Sequence, residues 1–227
     1  MEIAGFIKNS FVDYPGVIAS VVFTPFCNFN CWYCHNFEII SQTKGDIEEA
    51  TVFEFLKSRK GFIDGVVVSG GEPTLQKDLF DFISKIKQLG FKVKLDTNGT
   101  NLKVLKQLVD AKLLDFIAMD IKAPPKKYEQ IVQKTFSEKT ILDAINYIKS
   151  CGVAHEFRTT FSPDLNEQDI LEIAKYVGKE STYAIQQYNK HFDSWPEPHD
   201  ENKITEVANQ LKNEVKNLIV RGIKRKF

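Results

Sequence analysis

The sequence predicts an α/β fold, specifically a partial (β/α)6 barrel of parallel strands with an outer layer of helices. Strand-length apolar segments alternate with amphipathic helical segments, and this alternation favours parallel pairing with right-handed crossovers. A complete eight-unit barrel takes about 250 residues, whereas this chain of 227 residues has room for about six units. An open doubly wound sheet is the alternative architecture. Because no linker is long enough to divide the chain, we expect one domain over residues 1–227.

The predicted strands are short apolar or β-branched segments, each bounded by turn residues. In chain order they are Val17–Thr24, Gly65–Ser69, Phe91–Asp96, Leu114–Asp120, Glu156–Phe161 and Tyr183–Gln187. Between and after them, apolar side chains recur at helical spacing. These helical segments run from Leu79 to Leu89, from Leu102 to Val109, from Ile141 to Ile148, from Ile170 to Val177 and from Ile204 to Leu218. Gly90, Gly152 and Gly178 are expected to end helices.

The charge of the chain is balanced, with 30 basic and 30 acidic side chains. This balance argues against nucleic acid and anionic membranes as partners. The first residues lack the pattern of a signal peptide, and the apolar segments are far shorter than the ~18 residues of a membrane helix. We therefore expect a cytoplasmic protein, in which clustered cysteines indicate metal binding or catalysis rather than disulfides. The basic segment Lys224–Lys226 is expected to be solvated.

Three cysteines, Cys27, Cys31 and Cys34, follow the first predicted strand with the spacing C-x-x-x-C-x-x-C. Four interpretations compete for them. A haem attachment motif or a thioredoxin-like C-x-x-C motif leaves Cys27 without a role. A Cys₃His zinc site with His35 lacks the usual separation between ligand pairs. A cubane iron–sulfur cluster normally takes four cysteines, so three would leave one iron open to a substrate. Taken with the rest of the chain, the pattern favours the cluster, and Cys151 is expected to be a small buried side chain.

A second motif, Gly70-Gly71-Glu72-Pro73, follows the second predicted strand. Together, the cysteine motif and this Gly-Gly-Glu-Pro motif resemble those of the radical S-adenosylmethionine (SAM) superfamily. Within the superfamily, the chain is similar to the activating enzymes of glycyl-radical enzymes, including those of anaerobic ribonucleoside-triphosphate reductase and pyruvate formate-lyase. The similarity extends over roughly residues 5–190, and its other motifs are Ser10–Gly16, Cys34–Asn36, Asp96–Gly99 and Met119–Lys122.

The resemblance implies an enzyme with a 4Fe–4S cluster, held by Cys27, Cys31 and Cys34, and with SAM. Such an enzyme reductively cleaves SAM to a 5′-deoxyadenosyl radical, which takes a hydrogen atom from a glycine of a partner glycyl-radical enzyme. We expect anaerobic ribonucleoside-triphosphate reductase as that partner and flavodoxin or ferredoxin as the electron donor. No side chain is expected to act as a catalytic group, because the cofactors carry the chemistry. The alternatives are a radical SAM enzyme acting on a small molecule or another peptide, and a non-catalytic iron–sulfur or zinc module.

The chemistry-bearing segments share one position, directly after the carboxyl ends of predicted strands. They are Cys27–Cys34, Gly70–Pro73, Asp96–Gly99, Asp120–Lys122 and Gln187–Asn189. In a barrel of parallel strands these ends lie on one face, where active sites gather. This convergence comes from the chain itself and does not depend on the resemblance.

The resemblance assigns cofactor contacts to several of these residues. Gly70 and Gly71 would approach the SAM ammonium through their backbone, and Glu72 would be either its charge partner or an anchor of the loop. Lys122 would meet the SAM carboxylate, the alternative being a surface pair with Asp120. Tyr33 would pack against adenine, the alternative being ordinary loop packing. Asp96 would help to hold the sugar or a cation, whereas the residues Asp96–Gly99 by themselves also fit a turn with a helix cap.

Further residues, including those of a cation site, complete the expected cofactor site. Asn36 is a nearby polar contact, and Arg158 either points into the barrel mouth or faces solvent. A monovalent cation is a further expectation, with oxygen ligands drawn from Asp96, Thr97, Asp120 and the carbonyl of Ala118. Gln187 begins a departure from the family, because the chain has Gln187-Tyr188-Asn189 where related enzymes often have Pro-Tyr-His. His191 and His199 lie beyond it, in a proline-rich loop.

Overall fold

The structure is a computed structural model that describes residues 1–42, 44–135 and 137–223, so the basic segment Lys224–Lys226 lies outside the described residues. The strands are β1 Gly5–Ser10, β2 Ala19–Thr24, β3 Gly65–Gly70, β4 Lys92–Thr97, β5 Phe116–Asp120, β6 Ala154–Phe161, β7 Thr182–Gln187 and β8 Asn217–Arg221. The helices are α1 Phe37–Ile40, α2 Glu49–Ser58, α3 Leu79–Gln88, α4 Leu102–Asp110, α5 Pro125–Val132, α6 Glu138–Ser150, α7 Glu167–Val177 and α8 Glu201–Leu211.

The strands form one sheet in sequence order, from β1 to β8. β1 is antiparallel to β2, whereas β2–β3, β3–β4, β6–β7 and β7–β8 are parallel pairs. The six predicted strands correspond to β2 through β7, within a few residues at each end. An open, mostly parallel sheet with intervening helices confirms the predicted α/β class.

The chain divides into two compact units. The first unit comprises Met1–Asn28, Asn36–Ala118 and Cys151–Ala154, and the second comprises Phe29–His35, Met119–Ser150 and His155–Phe227. The expectation of a single domain over residues 1–227 stays a prediction. The cysteine motif is shared between the units, because Cys27 belongs to the first and Cys31 and Cys34 belong to the second.

In the first unit, β2 and β3 are apolar on both faces, which is typical of interior parallel strands. Val21, Val22, Val66, Val67 and Val68 are all buried. Helix α3 buries one apolar stripe, formed by Leu79, Phe82, Ile83 and Ile86. The chain leaves this helix through Gly90, whose φ of +91° suits glycine better than any other residue. These elements hold the carboxyl ends of β2, β3 and β4, from which the candidate residues of this unit extend.

In the second unit, helix α7 shows why a helix begins and ends where it does. Asn166 accepts a hydrogen bond from the Asp169 backbone, and the Asp169 side chain accepts one from the Asn166 backbone, which forms a capping box. The helix ends at Gly178, as predicted, with φ +79°. Its buried face includes Ile170 and Ile173.

The two outer strands differ from the sequence-based expectation. The predicted C-terminal helix was extended to Leu218, but α8 ends at Leu211 and Leu218 lies in β8, paired with Tyr183 of β7. That extension was wrong because Val215 and Leu218 continue the helical spacing by chance, while the run Asn-Leu-Ile-Val-Arg favours a strand. Strand β1 was not predicted because it has only one neighbour and lacks a continuous apolar run. Helices α1, α2 and α5 were not predicted either.

Candidate functional site

The cysteine motif and the glycine motif are interlocked in the first unit. Phe26, just before Cys27, adopts a left-handed conformation with φ 64°. Its carbonyl oxygen accepts a hydrogen bond of 2.8 Å from the backbone N–H of Glu72. A Cβ atom at Gly71 would lie 1.8 Å from this oxygen, so only glycine permits the contact. The start of the cysteine loop and the glycine loop therefore depend on each other for their conformation.

Gly70 is constrained in the same way. Its φ is +117°, and a Cβ atom there would lie 2.3 Å from the backbone nitrogen of Thr24. The Gly70 carbonyl accepts a hydrogen bond of 3.0 Å from Asn36 Nδ2. Asn36, expected to be a polar contact for the cofactor, thus braces the glycine loop.

Glu72 is the centre of a buried hydrogen-bond network. The residue is fully buried, and its two oxygens accept from Thr74 N and Oγ1, from Thr97 Oγ1 and from the backbone N–H of Asn98. Burial raises the pKa of this carboxyl, against the lowering effect of the hydrogen bonds. Of the two roles considered for Glu72, this arrangement supports the anchor of the loop rather than a charge partner for the cofactor.

Asn98 is a site residue that sequence reasoning missed. Its Nδ2 atom donates to Asn28 Oδ1 at 2.8 Å and lies 3.9 Å from Cys27 Sγ. Asn28 in turn donates to Thr100 Oγ1 at 2.9 Å. The segment Asp96–Gly99 fits a turn with a helix cap as well as a cofactor motif, and its place in that segment is the only sequence signal for Asn98. These bonds link the loop after β4 to the residues around Cys27.

Asp96 lies at the carboxyl end of β4, where it is mostly buried. It accepts hydrogen bonds from Lys94 Nζ and, at 3.0 Å, from Ser69 Oγ. Thr97, the next residue, points its hydroxyl to Glu72. Asp96 is thus held by the two strands β3 and β4.

In the second unit, Asp120, Lys122 and Arg158 form a cationic triad. Arg158 Nε donates to Asp120 Oδ1 at 2.7 Å, and Lys122 Nζ donates to Asp120 Oδ2 at 3.1 Å. Burial raises the pKa of Asp120, but Arg158 and Lys122 outweigh it and hold that pKa well below its usual range. One carboxylate between two cations leaves the triad with a net positive charge, which suits an anionic ligand. Arg158 therefore does not face solvent, which was one of the two expectations for it.

The second unit also contains Cys31, Tyr33 and Cys34. The Cys34 backbone N–H donates to the Cys31 carbonyl at 3.0 Å, which closes the C-x-x-C turn. Burial raises the pKa of the Cys31 thiol to about 11, although Lys122 lowers it. Tyr33 is buried, and its Oη atom has no hydrogen-bond partner among the described residues. A buried hydroxyl without a partner costs free energy and is expected to meet a polar ligand.

The end of β7 shows what replaces the Pro-Tyr-His sequence of related enzymes. Gln187 Nε2 donates to the His199 carbonyl at 2.8 Å, while Gln187 Oε1 is buried without a partner in the described part of the chain. The His199 ring lies 2.8 Å from the Leu165 carbonyl oxygen. His199 therefore fixes the loop after β6, and Gln187 keeps one oxygen for another donor.

Trp32 is a second residue whose contacts sequence reasoning missed. Its indole N–H donates to Asp164 at 2.6 Å, and its ring packs edge-on against Tyr33, Tyr188 and Trp195. Packing of this kind excludes water from the surroundings of Tyr33. The sequence alone does not show whether an aromatic residue inside a cysteine motif shields a site from water or only packs within the loop.

The donor chemistry fits an iron–sulfur cluster, since three thiols on one short loop are soft ligands and the buried Tyr33 hydroxyl beside them lacks a partner. Within residues 1–42, 44–135 and 137–223, no three His, Cys, Asp or Glu side chains are placed to hold a metal ion. Ligation by the three cysteines therefore stays a prediction. Cys151, expected to be buried, follows the end of α6 and is half-buried. No helix in the described residues has the length and apolar character to span a membrane.

Comparisons with known proteins support one family. Residues 21–177 match the Radical SAM superfamily. A protein of Methanocaldococcus jannaschii, provisionally named a glycyl-radical enzyme activating enzyme, is 37% identical over 99% of this chain and 98% of its own length. The pyruvate formate-lyase-activating enzyme of Streptococcus mutans is 32% identical over 73% of this chain and 68% of its own.

Solved structures support the fold. The structure of SuiB from Streptococcus suis bound to S-adenosylmethionine superposes on 89% of this chain with a TM-score of 0.70 and 12% identity. The chain spans about half of that protein, 52% of its length. Enzymes of the Radical SAM superfamily use a 4Fe–4S cluster and SAM. The match over most of its length, and the near full-length similarity to the M. jannaschii protein, show that this chain belongs to the radical SAM superfamily and, within it, to the glycyl-radical enzyme activating enzymes.

Proposed function

We propose that this enzyme activates a partner glycyl-radical enzyme by removing a hydrogen atom from one of the partner's glycines, and that the partner is an anaerobic ribonucleoside-triphosphate reductase. The reaction class is supported by the M. jannaschii relative, which spans nearly the whole chain. The reductase is chosen because, among the activating enzymes that share the motifs of this chain, the sequence most resembles the activators of that reductase. Flavodoxin or ferredoxin would supply the electron.

The observation that carries the proposal is the interlock between the cysteine loop and the glycine loop. The Glu72 N–H donates to the Phe26 carbonyl one residue before Cys27, so the first of the proposed cluster ligands is coupled to the glycine loop. Cys27, Cys31 and Cys34 would hold the cluster. Because burial raises the pKa of the Cys31 thiol, the bound metal must displace its proton. When bound, the cluster and SAM supply a carbon-centred radical that can remove a hydrogen atom.

The chain's own residues would bind and orient the methionine part of SAM. Its ammonium has only hydrogen-bond donors, so it needs acceptors, and the N–H groups of Gly71 and Glu72 are already used within the loop. The carbonyl oxygens of Gly70 and Gly71 would therefore accept from it. Its carboxylate would be held by the net positive charge of Lys122 and Arg158 around Asp120.

The remaining residues would bind the nucleoside and exclude water. Tyr33 would pack its ring against adenine and offer its unpartnered Oη atom. Gln187 would use its buried Oε1 atom to accept a hydrogen bond. Asn36 would act on the cofactor through the Gly70 carbonyl that it braces. Asp96, held by Ser69 and Lys94, would face the sugar.

The test is an anaerobic mixture of the reconstituted enzyme, a reductant, SAM and a reductase encoded beside it. We expect a doublet glycyl signal in electron paramagnetic resonance, located on the reductase. A reductase whose radical glycine is changed to alanine is the matched control and should give no signal. Formation of 5′-deoxyadenosine driven by a small molecule, with no glycyl signal, would contradict the proposal, and stoichiometric zinc without iron would indicate a binding module instead.

A further inference from the structure

Lys94, in the middle of β4, is a buried lysine that the proposed mechanism does not use. Its side chain is 1% exposed, although lysine is almost never fully buried unless it is paired. Its partner is Asp96, whose carboxylate accepts a hydrogen bond from Lys94 Nζ. Burying an ammonium without a counter-charge is costly, and Asp96 supplies that charge to Lys94.

The backbone fixes this pair firmly. Lys94 and Asp96 are two residues apart on one strand, so their side chains share a face of the sheet. Lys94 is paired in register with Val67 of β3, and Ser69 of the same strand donates to Asp96 at 3.0 Å. Strand β3 therefore fixes the backbone of Lys94 through its pairing with β4. It also supplies the Ser69 hydroxyl, which donates a hydrogen bond to Asp96.

This arrangement conflicts with the expected monovalent cation. In the first unit, Asp96 forms an ion pair with the Lys94 ammonium. The Thr97 hydroxyl donates to Glu72 and accepts from the Gly99 N–H. In the second unit, Asp120 forms ion pairs with Arg158 and Lys122. A cation is attracted by carboxylates whose charge is not yet compensated, and both candidate carboxylates are compensated by side chains. The residues present do not fit an additional monovalent cation.

We propose that Lys94 is a positioning residue that replaces a bound metal cation at Asp96, so that this enzyme binds SAM without Na⁺ or K⁺. The effect on SAM binding rests on the proposed function, which assigns Asp96 to the cofactor. The replacement of a cation by Lys94 does not rest on the proposed function. An ammonium carries the same charge as K⁺ but is tethered to β4. The tether removes the entropic cost of capturing an ion from solution.

The experiment compares the reconstituted wild-type enzyme with the variant Lys94→Met, which keeps the length of the side chain and removes its charge. Melting temperature and SAM affinity are measured in KCl, NaCl or NH₄Cl, against tetramethylammonium chloride of equal ionic strength, whose cation is too large for the space of an ammonium group. The wild type should respond equally to all four salts. Lys94→Met should melt higher, and bind SAM about tenfold more tightly, in the salts of small cations. Lys92→Met is the matched control, since Lys92 is exposed on the same strand, and it should behave as the wild type.

A double variant, Lys94→Met with Asp96→Asn, covers the case in which the single variant does not fold. It removes both charges and should fold with no dependence on the cation. The proposal is overturned if the wild type needs a small cation to bind SAM, or if Lys94→Met shows no cation dependence in its melting temperature. Measuring the melting temperature requires no turnover. The cation dependence of Lys94→Met is therefore tested independently of the proposed activation of a partner enzyme.

Discussion

The three thiols of the cysteine motif differ from Cys151 in their expected chemistry. Replacing Cys27, Cys31 or Cys34 by alanine should abolish cluster binding, because each removes one of the three protein ligands of a cluster that normally has four. The reconstituted wild type should contain about four irons per chain. Iron analysis and the absorption spectrum of the reconstituted protein measure this.

Cys151→Ala provides the control, since Cys151 follows α6 and lies far along the chain from the motif. It should retain the full iron content. Loss of the cluster in this variant, or its retention in Cys31→Ala, would show that the ligand set is different.

Lys122 combines two interactions, one with Asp120 and one with the expected SAM carboxylate. Lys122→Ala should weaken SAM binding by about 1.5–3 kcal/mol, the usual contribution of a hydrogen bond to a charged group. Titration calorimetry under anaerobic conditions measures the affinity. Lys126→Ala is the matched control, because Lys126 is exposed nearby on α5 and should leave the affinity unchanged. An unchanged SAM affinity of Lys122→Ala, with the cluster intact, would show that Lys122 only forms an ion pair with Asp120 and does not bind SAM.

The sequence predicted individual site residues where their chemistry repeats in a motif, as for the three cysteines and for Gly70 and Gly71. It could not predict Lys94 or Asn98, since a lysine inside a strand and an asparagine before a glycine have ordinary explanations. The role of Lys94 depends on its burial beside Asp96, and that of Asn98 depends on Asn28 and Cys27, which are distant in sequence. It also could not decide between the two roles of Glu72, which only the four hydrogen bonds to its carboxylate distinguish.

Among the structural elements, the glycine loop after β3 has the least tolerance for change. Gly71→Ala should destabilise the fold by about 1–3 kcal/mol or more, since its Cβ atom would meet the Phe26 carbonyl at 1.8 Å and force the cysteine loop to move. Thermal unfolding measures the loss, and iron content after reconstitution should fall with it.

Gly5→Ala is the comparison, because a Cβ atom at Gly5 in β1 would lie 3.2 Å from the Phe23 side chain, which can adjust. Its melting temperature should stay close to that of the wild type. Equal melting temperatures for Gly71→Ala and the wild type would mean that the two loops are not coupled as described.

The elements that the sequence predicted well have a clear pattern of buried apolar residues, either several in a strand or one stripe along a helix. They are β2 to β7 and helices α3, α4, α6 and α7. Hydrophobic spacing records burial, so strands with few buried residues leave a weaker record. Strand β1 has three exposed residues in a row, and β8 is half-exposed along most of its length. The pairing of Leu218 with Tyr183, which ends the predicted helix early, is a tertiary interaction that local spacing does not encode.

The free energy of unfolding of the whole molecule should fall at acidic pH, in part because of Asp120. Its folded pKa lies below the ordinary value of about 3.9, so its contribution to the free energy of unfolding is present above that pH and is lost as the pH falls through the folded pKa. Asp120→Asn should therefore show a shallower fall of unfolding free energy below about pH 4 than the wild type. Urea unfolding across the acid range measures this slope.

Asp110→Asn is the control, since Asp110 is exposed at the end of α4 and should leave the slope of the wild type unchanged. If Asp120→Asn and the wild type lose stability with the same slope, the cationic triad does not bias the ionisation of Asp120. The variant should also bind SAM less tightly, because Arg158 and Lys122 lose the carboxylate that orients them.

The antiparallel pairing of β1 with β2 has a consequence for the chain as it leaves the ribosome. Gly5 pairs with Phe23 and Ser10 with Ala19, so this pairing is complete within the first 24 residues. The parallel partner β3 begins only at Gly65, which emerges about 2–8 s later at the usual rate of synthesis. During that interval the apolar strand β2 has one edge hydrogen-bonded by β1, which leaves a single edge exposed to other nascent chains. We therefore expect the edge strand β1, which contributes little to the buried core, to reduce aggregation of β2 while the parallel partner β3 is still being translated.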